Sequence, residues 1–277
     1  MCREESDMQW ENLTSLDFEK AVKTCQGVGI IPVGVIEAHG PHLPLGTDAF
    51  EAHWTACQAA EEEPSIVFPF YPYGINHESS HLPGAVVIKR DVVLALLENI
   101  CDEMARHGLT KIILFSGHGG NRFMLPLFVQ TLVEQDKPYV VYYANVHSEE
   151  KDVLETMETG HACESETSTL LYIHEPLVKM DQVPPQTFTN LKRNQPLVEV
   201  GAYSPMDWYA MYPHMYVGDA SKATVEKGRV LSGRRIAGLV TLIKRVKADV
   251  MTPALLKQYI QQKAKPTAPD FWTEPKP

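Results

Sequence analysis

What most constrains this chain is an alternation of short apolar runs with segments of helical spacing, sustained over its first 175 residues. Residues 28–33 form a β-rich run bounded by Gly27 and Gly34, and 48–60 read as helix. Residues 66–70 and 85–88 read as short strands. Asp91 is placed to cap a helix in which Val93, Leu97, Ile100, Cys101 and Met104 recur at helical spacing up to a stop at His107-Gly108. Residues 111–116 (KIILFS) and 139–146 are two more strand patterns. Strands alternating with helices predict an α/β fold whose mostly parallel sheet carries helices on both faces. The near-continuous apolar strands fit a sheet covered on both sides.

Nothing of linker composition divides this region, so the reading is one domain over 1–277, elaborated after residue 180. Residues 183–195 read as loop. Tyr203, Trp208, Tyr209, Tyr212 and Tyr216 form an aromatic stretch, read as core or subunit interface, with pocket lining as the alternative. A long helix spans about 224–250, its seven Lys and Arg read as a solvated face, and the proline-rich tail after Lys263 reads as extended. The net charge of −10 argues against a nucleic-acid partner. No apolar run approaches the ~20 residues of a membrane span. The N-terminus lacks a signal-peptide core and the five cysteines include no CxxC pair, so a cytoplasmic protein with reduced thiols is expected.

In open α/β sheets, ligands bind beyond the carboxyl ends of the strands. After the first strand come Glu37, His39, His42 and Asp48, interleaved with Gly and Pro. After the KIILFS strand comes His118 between glycines, then Gly120 and Asn121. After the next strand come His147 and then His161, Cys163, Glu164 and Glu166. Each alone has a plain reading: Asp48 and Glu164 also fit simple first-turn carboxylates. Together, carboxylates and imidazoles from three strand ends suit a borderline divalent ion such as zinc or manganese, or a pair of them.

These motifs resemble the creatininase (creatinine amidohydrolase) family. The resemblance is carried by the run from Pro32 to Asp48, by Ser116-Gly-His118-Gly-Gly-Asn121, by His161-Ala-x-Glu164-x-Glu166-Thr-Ser168 and by His81-Leu-Pro-Gly84. It implies a three-layer α/β/α sandwich and two divalent ions per subunit (Zn, Mn or Fe). By the resemblance, Asp48 bridges the ions, Glu37 and His118 ligate one and His39 the other. Creatininase proper has a Glu where this chain has Gly120, and many relatives have one where this chain has Glu164, so Glu164 is expected to supply the missing carboxylate. His161 is expected to transfer a proton to the leaving group, with Glu166 orienting it. His42, His81, Asn121 and Cys163 are expected near the substrate. His42 equally suits a structural hydrogen-bonder in a Pro-bounded loop, Asn121 a helix cap or a residue that orients the His118 loop, and Cys163 a small residue at a tight turn.

The implied activity is metal-dependent hydrolysis of a small cyclic amide, formamide or related C–N substrate, in a member other than creatininase proper. Gly120, and the lack of a Trp across 154–160, argue against creatinine as substrate. The alternatives are a keto-inositol (3-dehydro-scyllo-inosose-type) hydrolase or a peptidase of the same family, a non-catalytic metal-binding scaffold, and an amidase using Cys163 as nucleophile. The family's members assemble as homo-oligomers, often hexamers, and the same is expected here, with a small-molecule substrate as the other partner.

Overall fold

The computed structural model describes residues 8–146 and 149–266. In chain order the elements are α1 (Ser15–Thr24), β1 (Val28–Val33), α2 (Thr47–Glu62), β2 (Ile66–Val67), α3 (Arg90–Arg106), β3 (Lys111–Ser116), α4 (Asn121–Thr131) and β4 (Val140–Ala144). They continue with α5 (Glu164–His174), α6 (Gln195–Val198), α7 (Asp207–Met211), α8 (Val225–Ala248) and α9 (Met251–Ala264). The four strands form one wholly parallel sheet in the order β2-β1-β3-β4.

Right-handed crossovers place α2 on one face and α3 and α4 on the other. Position 29 of β1 abuts Met104 of α3, whereas Gly34, just past the strand, abuts Ala49 of α2. Both faces are therefore covered, and the buried Ile30, Ile31, Ile112, Ile113, Leu114 and Phe115 fill the middle layer.

Pro32 lies in a central strand, where a missing N–H would normally break a ladder. The carbonyl of Ile30 accepts from Phe68 N–H, and Gly34 N–H donates to Tyr71. Pro32 faces that same edge, past the point where β2 stops at Val67.

Two glycines draw α2 onto the strand ends. A Cβ on Gly34 would stand 2.4 Å from the Ala49 backbone, and one on Gly117 would stand 2.4 Å from the Asp48 carbonyl. Only hydrogen at both positions lets the first turn of α2, with Asp48, sit between the ends of β1 and β3.

Several sequence expectations are corrected. Residues 85–88 are not a strand; Val86 N–H makes a single bond to the Ile36 carbonyl. α3 begins at Arg90 behind Lys89, with Asp91 inside its first turn. β2 is two residues long, because its partner edge is interrupted at Pro32. The basic residues of α8 are not simply a solvated face: Lys227, Arg235 and Lys247 turn inward to Glu164, Glu51 and Glu63. α9 was not anticipated. His147 and the tail from residue 267 lie outside the described residues. Among the described residues, no helix is long and apolar enough to cross a membrane.

Candidate metal centre

The loop after β1 brings Glu37 and His39 inward, the start of α2 brings Asp48, and the loop after β3 brings His118. All four are buried, as is His161 just before α5. Asp48 lies between two imidazoles: Oδ1 is 3.1 Å from His39 Nε2, and Oδ2 is 2.9 Å from His118 Nδ1. Glu37 Oε1 is 3.2 Å from His118 Nδ1 and 3.9 Å from His161 Nδ1. Glu166 Oε2 is 3.9 Å from His39 Nε2. The rings of His39 and His161 stack with centroids 4.1 Å apart.

Each histidine is fixed by its outer nitrogen. His39 Nδ1–H donates to the Glu37 carbonyl (3.2 Å), His118 Nε2–H to Ile75 (3.0 Å) and His161 Nε2–H to Ala38 (2.7 Å). The inner nitrogens, His39 Nε2 and Nδ1 of His118 and His161, therefore face the carboxylates. Backbone carbonyls setting the tautomer are the usual support of a ligating imidazole.

Burial pulls the His39 pKa down, but Asp48, Glu166 and Glu37 outweigh it and hold the ring up at about 10. Burial likewise opposes protonation of His118, and Glu37 and Asp48 raise it well above the ordinary value. Burial disfavours the Asp48 and Glu37 charges, yet the facing imidazoles hold both carboxyls below their usual range. Both Glu37 oxygens and Asp48 Oδ2 are buried with no well-aligned hydrogen-bond donor, the nearest nitrogen to Glu37 Oε1 and Asp48 Oδ2 being His118 Nδ1. A buried acceptor left unsatisfied costs ~1–3 kcal/mol. Three in one cluster, with imidazole nitrogens beside them, fit a cation. The ligand atoms of Glu37, Asp48 and His118 lie within 4.8 Å of one another, as do those of His39, Asp48 and Glu166, and those of Glu37, His39 and His161.

Glu164 does not join the cluster. It is buried, but its carboxylate accepts from Lys227 Nζ (2.5 Å), Thr156 N–H (2.8 Å), Thr156 Oγ1 (2.7 Å) and Glu155 N–H. Residues 164 and 166 are two apart on a helix, about 200° around its axis, so one side chain faces the centre and the other faces away. The carboxylate beside His39 is that of Glu166, which also accepts the Ala162 N–H. Ala162 itself takes a left-handed conformation, φ 55°.

The other residues singled out from sequence are held by protein contacts. Asn121 is buried; its Oδ1 accepts from Ile75 N–H and its Nδ2 donates to Val33 O. It thus fixes the residue whose carbonyl orients His118. His42 Nε2 meets Thr167 Oγ1 at 2.9 Å, its ring lies edge-on to Tyr216, and burial lowers its pKa to about 4. His81 lies with Nε2 2.7 Å from the Pro213 carbonyl and its ring edge-on to Tyr209. Cys163 is buried just before α5, and burial pushes its thiol up to about 12.

The aromatic stretch is not simply core or interface. Tyr216 is core, but Trp208 stands edge-on to His161 with centroids 5.8 Å apart, backed by Tyr212 at 5.0 Å. Its indole Nε1–H points to Met215 sulfur. Sequence reasoning also missed Lys227, and the buried Glu51, which pairs with Arg235 at 2.7 Å one turn after Asp48. Aromatic content marked the stretch holding Trp208; nothing local in sequence marked Lys227 or Arg235 as inward-facing.

Parallel strands whose carboxyl ends converge on a cluster of carboxylates and imidazoles define an α/β protein with a candidate metal centre. The chain belongs to the creatininase (creatinine amidohydrolase) family, whose model matches residues 11–243. It is 25% identical over 271 residues to the 3-dehydro-scyllo-inosose hydrolase of Thermotoga maritima, covering 87% of this chain and 83% of that one. It is 28% identical to the mycofactocin precursor peptide peptidase of Mycolicibacterium smegmatis, covering 79% and 85%. A crystal structure from Bacteroides fragilis, assigned as a creatinine amidohydrolase, superposes with a TM-score of 0.78 at 27% identity, covering 89% of this chain and 98% of that one. Solved creatininases include a variant of Zn-Zn type and a form with Mn.

Proposed function

We propose that this chain hydrolyses a C–N bond of a small, ring-shaped amide, formamide or related compound, using two divalent ions. The observation that carries the reading is Asp48, whose two oxygens each face a different histidine in a buried cluster of carboxylates and imidazoles. Glu37, Asp48 and His118 would hold one ion, and His39, Asp48 and Glu166 the other. When bound, such ions lower the pKa of water and polarise the group under attack.

The protein's own groups then have distinct tasks. His161 is anchored at Nε2 by the Ala38 carbonyl and presents Nδ1 to the centre, where it transfers a proton to the departing nitrogen. Contributions of that kind are typically ~10²–10⁴-fold. Trp208 and Tyr212 wall the His161 side and supply a flat face for a ring. The burial of Glu37, His39 and Asp48 keeps bulk water from the inner carboxylates.

Creatinine itself is a poor fit, because Gly120 lacks the carboxylate that creatininase carries there. A keto-inositol is the second reading, favoured by the likeness to the Thermotoga maritima enzyme across most of both chains. Assembly into a homo-oligomer fits the exposed apolar Phe123, Leu127, Tyr203 and Met206 on and near α4.

The test is purified protein reconstituted with zinc or manganese, assayed against creatinine, formamides, cyclic amides, short peptides and keto-inositols. Two bound ions per chain and turnover of a cyclic amide or formamide are expected. Fewer than one ion per chain sinks the hydrolase reading. Turnover confined to keto-inositols or peptides moves the substrate to those classes, and creatinine turnover matching the best substrate overturns the reading of Gly120.

A further inference from the structure

Glu78 lies in the 3-10 turn His77–Ser79, on a segment other than those that supply the clustered carboxylates and imidazoles. Its Oε1 is 3.4 Å from His118 Nε2, on the ring edge opposite the one that faces Glu37 and Asp48. The side chain is mostly buried, with 25% of its surface exposed. It reaches this place because residue 120 is glycine. A Cβ on Gly120 would stand 2.7 Å from Glu78 Oε1 and 2.5 Å from His118 Nε2. Conformation does not require that glycine: its φ of −64° and ψ of −27° suit any residue. Space is what the missing side chain provides, and Glu78 uses it.

His118 already donates Nε2–H to the Ile75 carbonyl, itself held through Asn121. A carboxylate beside the same N–H makes the ring a stronger donor at Nδ1, the atom that faces Glu37 and Asp48. Outer partners of this kind typically change metal affinity by about 10–100-fold.

We propose that Glu78, admitted by Gly120, is a positioning residue for His118 that strengthens binding of the ion at Glu37, Asp48 and His118. It rests on the two-ion reading above. It adds a carboxylate from a separate turn that acts through the ring and makes no ligand contact of its own.

The experiment measures Zn²⁺ and Mn²⁺ affinity of full-length wild type, E78A, E78Q and G120A by competition with a chelator, with circular dichroism to confirm folding. Wild type is expected to take two ions. E78A should lose about 10–100-fold in affinity for one of them and keep the other. E78Q, similar in shape but uncharged, should lose in the same direction, and G120A should do so by displacing Glu78 and the His118 ring. Wild-type affinity in folded E78A and E78Q overturns the proposal. Unchanged affinity with a raised KM for the best substrate also overturns it, by assigning Glu78 to the substrate. Failure of the two-ion reading is a separate result, because it shows in wild type before any variant is compared.

Discussion

Lys227 of α8 holds the Glu164 carboxylate at 2.5 Å and so occupies the acid that the sequence pattern had offered to the centre. Glu166, on the opposite side of the same helix, approaches His39. The two carboxylates therefore give different outcomes when neutralised. E166Q should fold like wild type and bind one ion fewer, read by metal analysis after reconstitution. K227M should leave Glu164 buried without its cation and destabilise the fold by ~3–5 kcal/mol, read by chemical denaturation. Equal ion content in E166Q and wild type would remove Glu166 from the ligand set.

The metal-free protein should respond to pH in a defined direction. The folded pKa of His39 is held at about 10, above the ordinary value of 6.5. Its stabilising contribution is thus fully present below about pH 6.5 and is lost as pH rises toward 10. His118 shifts the same way. Glu37 and Asp48 shift down, so their contribution is present above about pH 4 and fades as pH falls further. Melting temperature of the metal-free protein should decline from pH 6.5 to 10. Over the same range ion affinity should rise, because ions displace those protons. A flat affinity profile would contradict the protonated pair.

Gly34 and Gly117 set the depth of α2. G117A places a methyl group 2.4 Å from the Asp48 carbonyl and 2.7 Å from Ala52 Cβ, so α2 has to move outward. A stability loss of ~1–3 kcal/mol is expected, together with weaker binding of both ions because Asp48 moves with the helix. Calorimetry and chelator competition read the two effects separately.

Cys163 is buried and its thiol is held protonated at neutral pH. C163A should keep wild-type turnover, and native protein should resist iodoacetamide at this residue at pH 7.5, checked by mass spectrometry. Loss of turnover in folded C163A would revive the cysteine-nucleophile reading.

Trp208 is edge-on to His161 and held by its indole N–H to Met215. W208F should raise KM for a ring-shaped substrate by a few-fold, and W208A by about tenfold or more, on the ~1–3 kcal/mol scale of one pocket contact. Equal losses for ring-shaped and open-chain substrates would reduce Trp208 to a packing role.

The fold was largely legible because periodicity and burial agree at its centre. Residues 28–33 and 111–116 read as strands and are β1 and β3, and the long helix near 224–250 is α8. The marginal pieces failed for local reasons. Residues 85–88 have strand-like composition but no ladder partner, and Asp91 has capping chemistry one position inside a helix that starts earlier. In the centre, Glu37, His39, Asp48, His118 and His161 come together as their strand-end positions suggested. Glu164 and Glu166 were harder to separate, since both lie in the first turn of the same helix and both are acidic. Their difference is set by helix phase and by a lysine 63 positions away in the chain. Trp208 was obscured by distance in the same way, since it reaches His161 from a different segment.

The Glu164–Lys227 contact also bears on the order of synthesis. A chain made from its amino terminus exposes the strand-end motifs long before α8 exists. Glu164 has a buried position to fill, and its counter-charge is translated 63 residues later. The amino-terminal two-thirds can lay down the sheet as it emerges. α5, which bears Glu166 and follows His161, packs against α8 and should lock into register only when that helix docks. A product truncated before α8 should therefore keep the Glu37, Asp48 and His118 group but fail to place Glu166 beside His39.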